Sequence, residues 1–379
     1  MIVVIADDLT GAVELGGVGL NYGLQVQVNL GEVSSANSTD LLIVSTDTRS
    51  GTQQEAVEAT KKVCSNLKNI KAELIYKKID SALRGHIVPE THAHLGTMKL
   101  EKALLIPANP AAGRTIQNGK YLIGGMPINE TGFRNDPEFP ALSAGVQDIL
   151  RSSAVMVRKS SEKLEKGITV AEAATEGDLF SWYDKIKSDL LIGGGAAFFR
   201  LILSQLYNGV ASGETCFNPS QGTTLLVSGT AYNESVALIS SFGDRNALIY
   251  VPESLLKEDL DSEIAECWLN GVSDKLNAEK FAVIAFKSGG DELIDALMLR
   301  ETMAELVRKV FEQIEINELI IEGGSTASAI LRALDIKSVF PVNEFAPGVV
   351  RCRSGKGTNL HITLKPGSYP WAADLWKFI

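Results

Sequence analysis

Short apolar runs, each closing on Gly, Asp, Ser or Asn, alternate along the chain with longer amphipathic stretches. Runs at 2–6, 41–45, 73–77 and 103–107 are rich in Ile, Val and Leu, as strands of a sheet covered on both faces must be. Between them, 11–22 and 54–67 read as helices, the second with Ala56, Ala59, Val63 and Leu67 at helical spacing. The alternation predicts an α/β fold with a mostly parallel, doubly wound sheet. From about 124 to 158 the pattern loosens, and Pro127, Pro137 and Pro140 break any helix. It resumes with a strand at 190–195 and a helix at 196–206. The stretch 208–222 is polar, turn-rich and without period, which places a domain boundary there. A second α/β cycle follows: strands at 225–228, 282–286, 319–322 and 361–364, with helices at 233–242, 295–314 and 327–334. Two α/β domains are expected, 1–215 and 223–379.

Length and charge narrow the function. At roughly 150 residues per domain, 379 residues give about two and a half domains. Thirty-six Lys and Arg against 46 Asp and Glu leave a net charge of −10, which argues against nucleic acid as the main partner but allows a local anion site. No apolar run reaches the length of a membrane span. Met1-Ile-Val-Val-Ile-Ala-Asp-Asp8 reads as a buried strand and not a signal peptide. Cys64, Cys216, Cys267 and Cys352 are scattered, as expected of reduced thiols in a cytoplasmic protein. His86, His92, His94 and His361 show no metal-site spacing, so no metal site is expected.

The candidate chemistry lies at strand ends, where ligands bind in open α/β sheets. Asp7-Asp8-Leu9-Thr10-Gly11-Ala12 follows the first strand. Adjacent carboxylates on an extended chain point to opposite faces, so one is expected to face a ligand and one could cap the next helix. Lys77-Lys78-Ile79-Asp80-Ser81-Ala82-Leu83-Arg84-Gly85 gathers cations, a carboxylate and a hydroxyl, as an acid-binding site with a general base requires. Arg84 can grip a carboxylate with two hydrogen bonds, while Lys78 offers a point charge. Arg49 ends a neighbouring strand in Thr46-Asp47-Thr48-Arg49. Pro107-Ala108-Asn109-Pro110-Ala111-Ala112-Gly113-Arg114 presents Asn109 and Arg114 from a rigid turn, and Phe133-Arg134-Asn135-Asp136-Pro137 is a further polar loop.

The second half offers glycine turns. In Glu322-Gly323-Gly324-Ser325-Thr326-Ala327, the glycines let the backbone approach a ligand, and the helix behind them supplies free N–H groups for phosphate. Ser228-Gly229-Thr230 and Lys365-Pro366-Gly367-Ser368 are similar turns, and three converging turns suit a nucleotide. Gly193-Gly194-Gly195 reads as close backbone packing. Neither GxxxxGK[ST] nor a GxGxxG after the first strand is present, and the latter counts against a nicotinamide-dependent dehydrogenase.

Taken together, these motifs resemble the four-carbon acid sugar kinases, which include the threonate, erythronate and 3-oxo-tetronate kinases. The resemblance runs from Ala6-Asp-Asp-Leu-Thr-Gly-Ala12 to Leu364-Lys-Pro-Gly367. It implies a sugar-acid-binding N-terminal domain, a nucleotide-binding C-terminal domain and catalysis in the cleft between them. Asp8, Arg49, Lys78, Asp80 and Ser81 fall where the family contacts its acid. Ser228, Gly323, Gly324, Ser325, Thr326 and Gly367 fall where it contacts ATP. The chain departs from the family at Ala82 (commonly Thr), at His86 (commonly Asn) and at Pro366-Gly-Ser-Tyr-Pro370 (usually Ser-Gly-Asn-Phe-Gly).

The expected reaction is transfer of the ATP γ-phosphoryl group to the terminal hydroxyl of a four-carbon acid, with Mg²⁺ arriving as the ATP chelate. Arg49 and Lys78 are expected to fix the substrate carboxylate, with Arg84 in support. Asp80 or Asp8 is expected to accept the hydroxyl proton. The altered C-terminal loop leaves one alternative, a sugar-acid sensor without turnover. A homodimer is compatible with the sequence; a nucleic-acid or membrane partner is not expected.

Overall fold

The computed structural model describes residues 1–34, 38–136, 138–207, 222–229, 233–244, 247–256, 260, 262–287, 295–357, 359–367, 369–373 and 375. Pro137, Thr230, Ser368, Cys216 and nearly all of the 208–222 connection lie outside the described residues. The chain divides into two compact units, Met1–Gly213 and Glu214–Ile379.

The first unit carries β1 (Ile2–Ala6), α1 (Leu9–Leu20), β2 (Val26–Leu30), β3 (Leu41–Ser45), α2 (Gln53–Leu67), β4 (Leu74–Lys78), α3 (Ile87–Met98) and β5 (Lys102–Ile106). These are followed by β6 (Arg114–Gln117), β7 (Lys120–Ile123), β8 (Met126–Pro127), α4 (Val146–Ile149), β9 (Met156–Arg158), β10 (Gly167–Ala171), α5 (Glu176–Tyr183), β11 (Leu190–Gly194) and α6 (Ala196–Leu206). Its main sheet is parallel throughout, in the order β2-β3-β1-β4-β11-β5-β10-β9. Every residue of β1 and β3 is buried, which explains their unbroken apolar runs. Under α2, Val63, Cys64 and Leu67 close over Val3, Ile5, Leu42 and Val44. The Thr52–Glu55 capping box starts that helix.

Gly193 and Gly194 are strand residues of β11. A side chain there would sit 2.6 Å from the Lys77 carbonyl and 2.3 Å from the Ile106 carbonyl, so these glycines serve backbone packing. The loosened stretch holds the antiparallel β6-β7-β8 sheet and two short 3₁₀ turns at 128–130 and 132–135.

The second unit carries β12 (Thr224–Ser228), α7 (Asn233–Asp244), β13 (Leu248–Val251), α8 (Glu263–Glu279), β14 (Phe281–Phe286), α9 (Ala296–Gln313), β15 (Glu318–Glu322), α10 (Gly324–Ala333), β16 (Ser338–Ala346), β17 (Val349–Ser354) and β18 (His361–Lys365). Its strand order is β13-β14-β12-β15-β18-β17-β16, with only β17 running antiparallel to its neighbours. Its core gathers Leu226, Val283 and Ile320 of the sheet with Ile239 and Phe242 of α7. Among the described residues no helix is long and apolar enough to cross a membrane.

Candidate functional site

In the first unit, β1, β3 and β4 lie side by side, with Ala6 abreast of Ser45 and of Lys78. The parallel register therefore delivers the Asp7-Asp8, Arg49 and Lys78–Arg84 segments to one edge. Asp8 is the N-cap of α1 and accepts the Gly11 amide at 3.2 Å and the Thr10 hydroxyl. Asp7 is buried, and Arg49 bridges the two acids. Its Nε and Nη2 donate to Asp7 at 2.7 and 2.8 Å, and Nη2 also reaches Asp8 at 2.7 Å. Opposite backbone directions thus still give both carboxylates one shared partner. Gly85, at φ +91°, lets Arg49 pass: a side chain there would sit 3.2 Å from Arg49 Cγ and from Asp7 Oδ2.

Asp80 is held by its own loop. Its Oδ2 accepts the amides of Ala82 and Arg84 at 3.1 and 3.2 Å. Arg84 grips both oxygens through Nε at 2.8 Å and Nη2 at 2.9 Å. Burial alone would raise both Asp80 and Asp8. For Asp80, Arg84, Arg49 and Lys78 outweigh it and hold the carboxyl far below the usual range. For Asp8, Arg49, Lys78 and the Thr10 hydroxyl do the same more mildly. Both are anions at neutral pH.

Lys78 is buried beside the first turn of α1. Its Nζ donates to the Ile79 carbonyl at 3.3 Å and lies 3.6 Å from Glu14. A side chain at Gly11 would come 2.8 Å from that ammonium and 2.5 Å from Asp8 Oδ1, so glycine there keeps the space beside both charges open. Arg114 donates to the Ser81 hydroxyl, and Tyr121 to the Ser81 carbonyl. Asn109 acts within its loop: it caps the 110–112 turn and pairs by backbone with Arg114.

In the second unit, Ser228, Glu322 and Lys365 stand abreast at the ends of β12, β15 and β18. The strand ends from which the three expected turns leave are therefore side by side. The Gly229 amide donates to the Glu322 carbonyl, and the Gly323 amide to the Lys365 carbonyl, both at 3.0 Å. Gly323, at φ +105°, caps α10, which starts at Gly324 itself. Gly229 lies against Thr326, whose Oγ1 would be 2.0 Å from an added side chain. Ser325 is exposed and Thr326 buried. Such glycine turns at a helix N-terminus are chemically suited to phosphate oxygens.

Beneath them, the fully buried Lys365 donates to Glu322 at 2.5 Å, and Glu322 accepts Ser228 at 2.9 Å and Ser235. Gly367 enters through its carbonyl, 3.4 Å from Lys365 Nζ.

Sequence reasoning missed several residues of these clusters. Asp7 was legible only as half of a doublet. Asp136, whose Oδ2 accepts Arg84 Nη1 at 2.9 Å, arrives from a distant loop. Glu322 and Lys365 end strands just as Lys78 does, and that position was the available signal.

Charged side chains gather at one set of parallel strand ends and glycine turns at another, each within its own α/β unit. Residues 2–199 match the model of a sugar-binding N-terminal domain, and 234–369 that of a nucleotide-binding C-terminal domain. The chain belongs to the family built from these two domains, the one its motifs resemble. It is 25% identical to a 3-oxo-tetronate kinase of Haemophilus influenzae over 97% of each chain. It is 32% identical to a D-threonate kinase of Salmonella typhimurium over 47% of this chain and 46% of that one. Two crystal structures share the fold. One is protein HI1011 of Haemophilus influenzae (TM-score 0.72, 22% identity, 99% of this chain and 98% of that one). The other is a Salmonella typhimurium protein described as a putative tRNA synthase (0.78, 19%, 97% and 96%).

Proposed function

We propose that the protein is an ATP-dependent kinase that phosphorylates the terminal hydroxyl of a four-carbon sugar acid. The observation that carries this reading is the alignment with a 3-oxo-tetronate kinase across 97% of both chains. The two strand-end clusters support it, one rich in charge and one in glycine turns.

The hydroxyl oxygen attacks the γ-phosphorus, the bond from that phosphorus to the bridging oxygen breaks, ADP leaves, and the hydroxyl proton passes to a carboxylate. Asp8 and Asp80 differ as acceptors. A carboxylate offers about four lone-pair sites. Among the described residues, four close donors already fill Asp80: two amides and two Arg84 nitrogens. Three reach Asp8, from Thr10, Gly11 and Arg49. Asp8 is therefore the proton acceptor, and Asp80 fixes Arg84. Arg49 already donates to Asp7 and Asp8, so its work is to hold those acids. Lys78, beside Asp8, faces the reacting oxygens.

Ser228, the 323–326 turn and Gly367 take the nucleotide, with Mg²⁺ supplied as its chelate to neutralise phosphate charge. The free thiols Cys64, Cys267 and Cys352 and the use of ATP fit a cytoplasmic setting.

The test is ADP release with Mg-ATP across D- and L-threonate, D- and L-erythronate and 3-oxo-tetronate. ADP that depends on one or two of these acids is the expected result. Binding of an acid without ADP would leave a sensor in place of a kinase, and neither binding nor turnover would leave the shared fold alone.

A further inference from the structure

The loop Phe133-Arg134-Asn135-Asp136 has no part in the reaction as drawn so far, yet it lies against the acid site. Two short turns fold it onto itself: Thr131 caps the second, and the Phe133 carbonyl accepts the Ala141 amide at 3.0 Å. Asp136 reaches across to Arg84 Nη1 at 2.9 Å. The Phe133 ring, packed against the core beneath the site, meets two guanidinium groups, Arg84 at 5.6 Å and Arg114 at 5.7 Å from its centroid. Both distances are within cation–π range.

The two arginines differ in what they have left to give. Arg84 donates through Nε, Nη1 and Nη2 to Asp80 and Asp136. Among the described residues, Arg114 makes one such bond, to the Ser81 hydroxyl. A guanidinium has five N–H donors in a fixed fork. With one donor engaged and an aromatic ring within reach, Arg114 keeps enough of its fork to hold a carboxylate with two bonds.

We propose that Phe133 is a specificity-determining residue that sets the plane of Arg114, so that Arg114 with Ser81 takes the carboxylate of the substrate. Asp136 contributes by tying Arg84 to the same loop, so that Arg84, which shares the ring, has its donors engaged and leaves the ligand to Arg114. Substrate selection then lies in the contrast between an acid and its uncharged counterpart. This inference rests on the reading that the first unit binds a small sugar acid, but not on turnover.

The experiment is calorimetric binding of D-threonate and D-erythronate, and of the two corresponding tetronamides, to the full chain. Wild type is expected to prefer acid over amide. Phe133→Leu should lower that preference by about tenfold, roughly what 1.4 kcal/mol of lost orientation gives, with amide binding little changed. Phe133→Tyr, which keeps the ring, should retain it, and Arg114→Lys should lose it. A residue that merely supports the fold would weaken acid and amide alike, and that outcome would overturn the proposal.

Should Phe133→Leu not fold, Phe133→Tyr and Arg114→Lys decide: equal preference in Arg114→Lys and wild type sinks the idea. If wild type prefers the acid yet releases no ADP, the kinase reading fails and the role of Phe133 stands. No preference in wild type overturns the role of Phe133 whatever the ADP assay shows.

Discussion

Asp8 and Asp80 illustrate how little spacing says about the role of a carboxylate. Both lie just past strand ends beside cations, and both are held below the usual carboxylate range by those cations despite burial. Their difference is in occupancy, which only coordinates reveal. If Asp8 is the proton acceptor as proposed, Asp8→Asn should lower kcat by about 10²–10⁴-fold with little change in KM for the acid. Asp80→Asn frees Arg84 and should raise KM as well. Because Asp8 titrates below its ordinary range, kcat should show no acid limb between pH 5.5 and 8. An inflection near pH 6.5 that Asp8→Asn abolishes would exclude this assignment. The sign for stability follows from the same shift. Depressed carboxyls favour folding above pH 4, and that contribution drains as pH falls toward their folded values.

At the scale of elements, legibility depended on whether burial leaves a clean apolar run or stripe. β1 and β3 are buried on both faces, and α2 has one apolar stripe, so all three could be read from the chain. β2 was hidden because Gln27 and Asn29 are buried in it, satisfied by a mutual bond at 2.9 Å. α3 was hidden by Pro89, which sits in the first turn where no amide bond is lost, and by buried polar groups. There Glu90 pairs with Lys77 at 2.5 Å. The turns of the second unit were legible as turns because glycine marks them, whereas the Glu322–Lys365 pair joining them needed the register of β15 and β18.

α3 also carries His94, buried, with no partner on Nδ1 among the described residues. Burial, with Lys77 adding to it, pushes its pKa down to about 3. The unfolded chain takes up this proton near pH 6.5 and the folded one does not, so stability falls as pH drops from 6.5 toward 3. Between pH 7 and 5.5 His94 should contribute about 1 kcal/mol of the loss seen by urea unfolding, and the loss should shrink by that amount in His94→Leu. Parallel pH dependences of the two proteins would refute the assignment.

At the scale of the molecule, each unit has its own core. Val3, Leu42 and Val63 belong to one, and Leu226, Val283 and Ile320 to the other. The sequence loses its period from 208, and the expected boundary rests on that loss. Separate cores have a thermodynamic consequence. A ligand stabilises the unit that binds it by an amount set by its concentration over its Kd, about 2.7 kcal/mol at a hundredfold excess. Calorimetric melting is therefore expected to resolve two transitions, since two-state behaviour is a property of single domains. The sugar acid should raise one transition, and a non-hydrolysable Mg-ATP analogue the other. Arg114→Lys should cancel only the first shift and a bulky residue at Gly323 only the second. One transition moved equally by both ligands would instead mean that the two cores melt as a single cooperative unit, and the division of binding between them would have to be established by the variants alone.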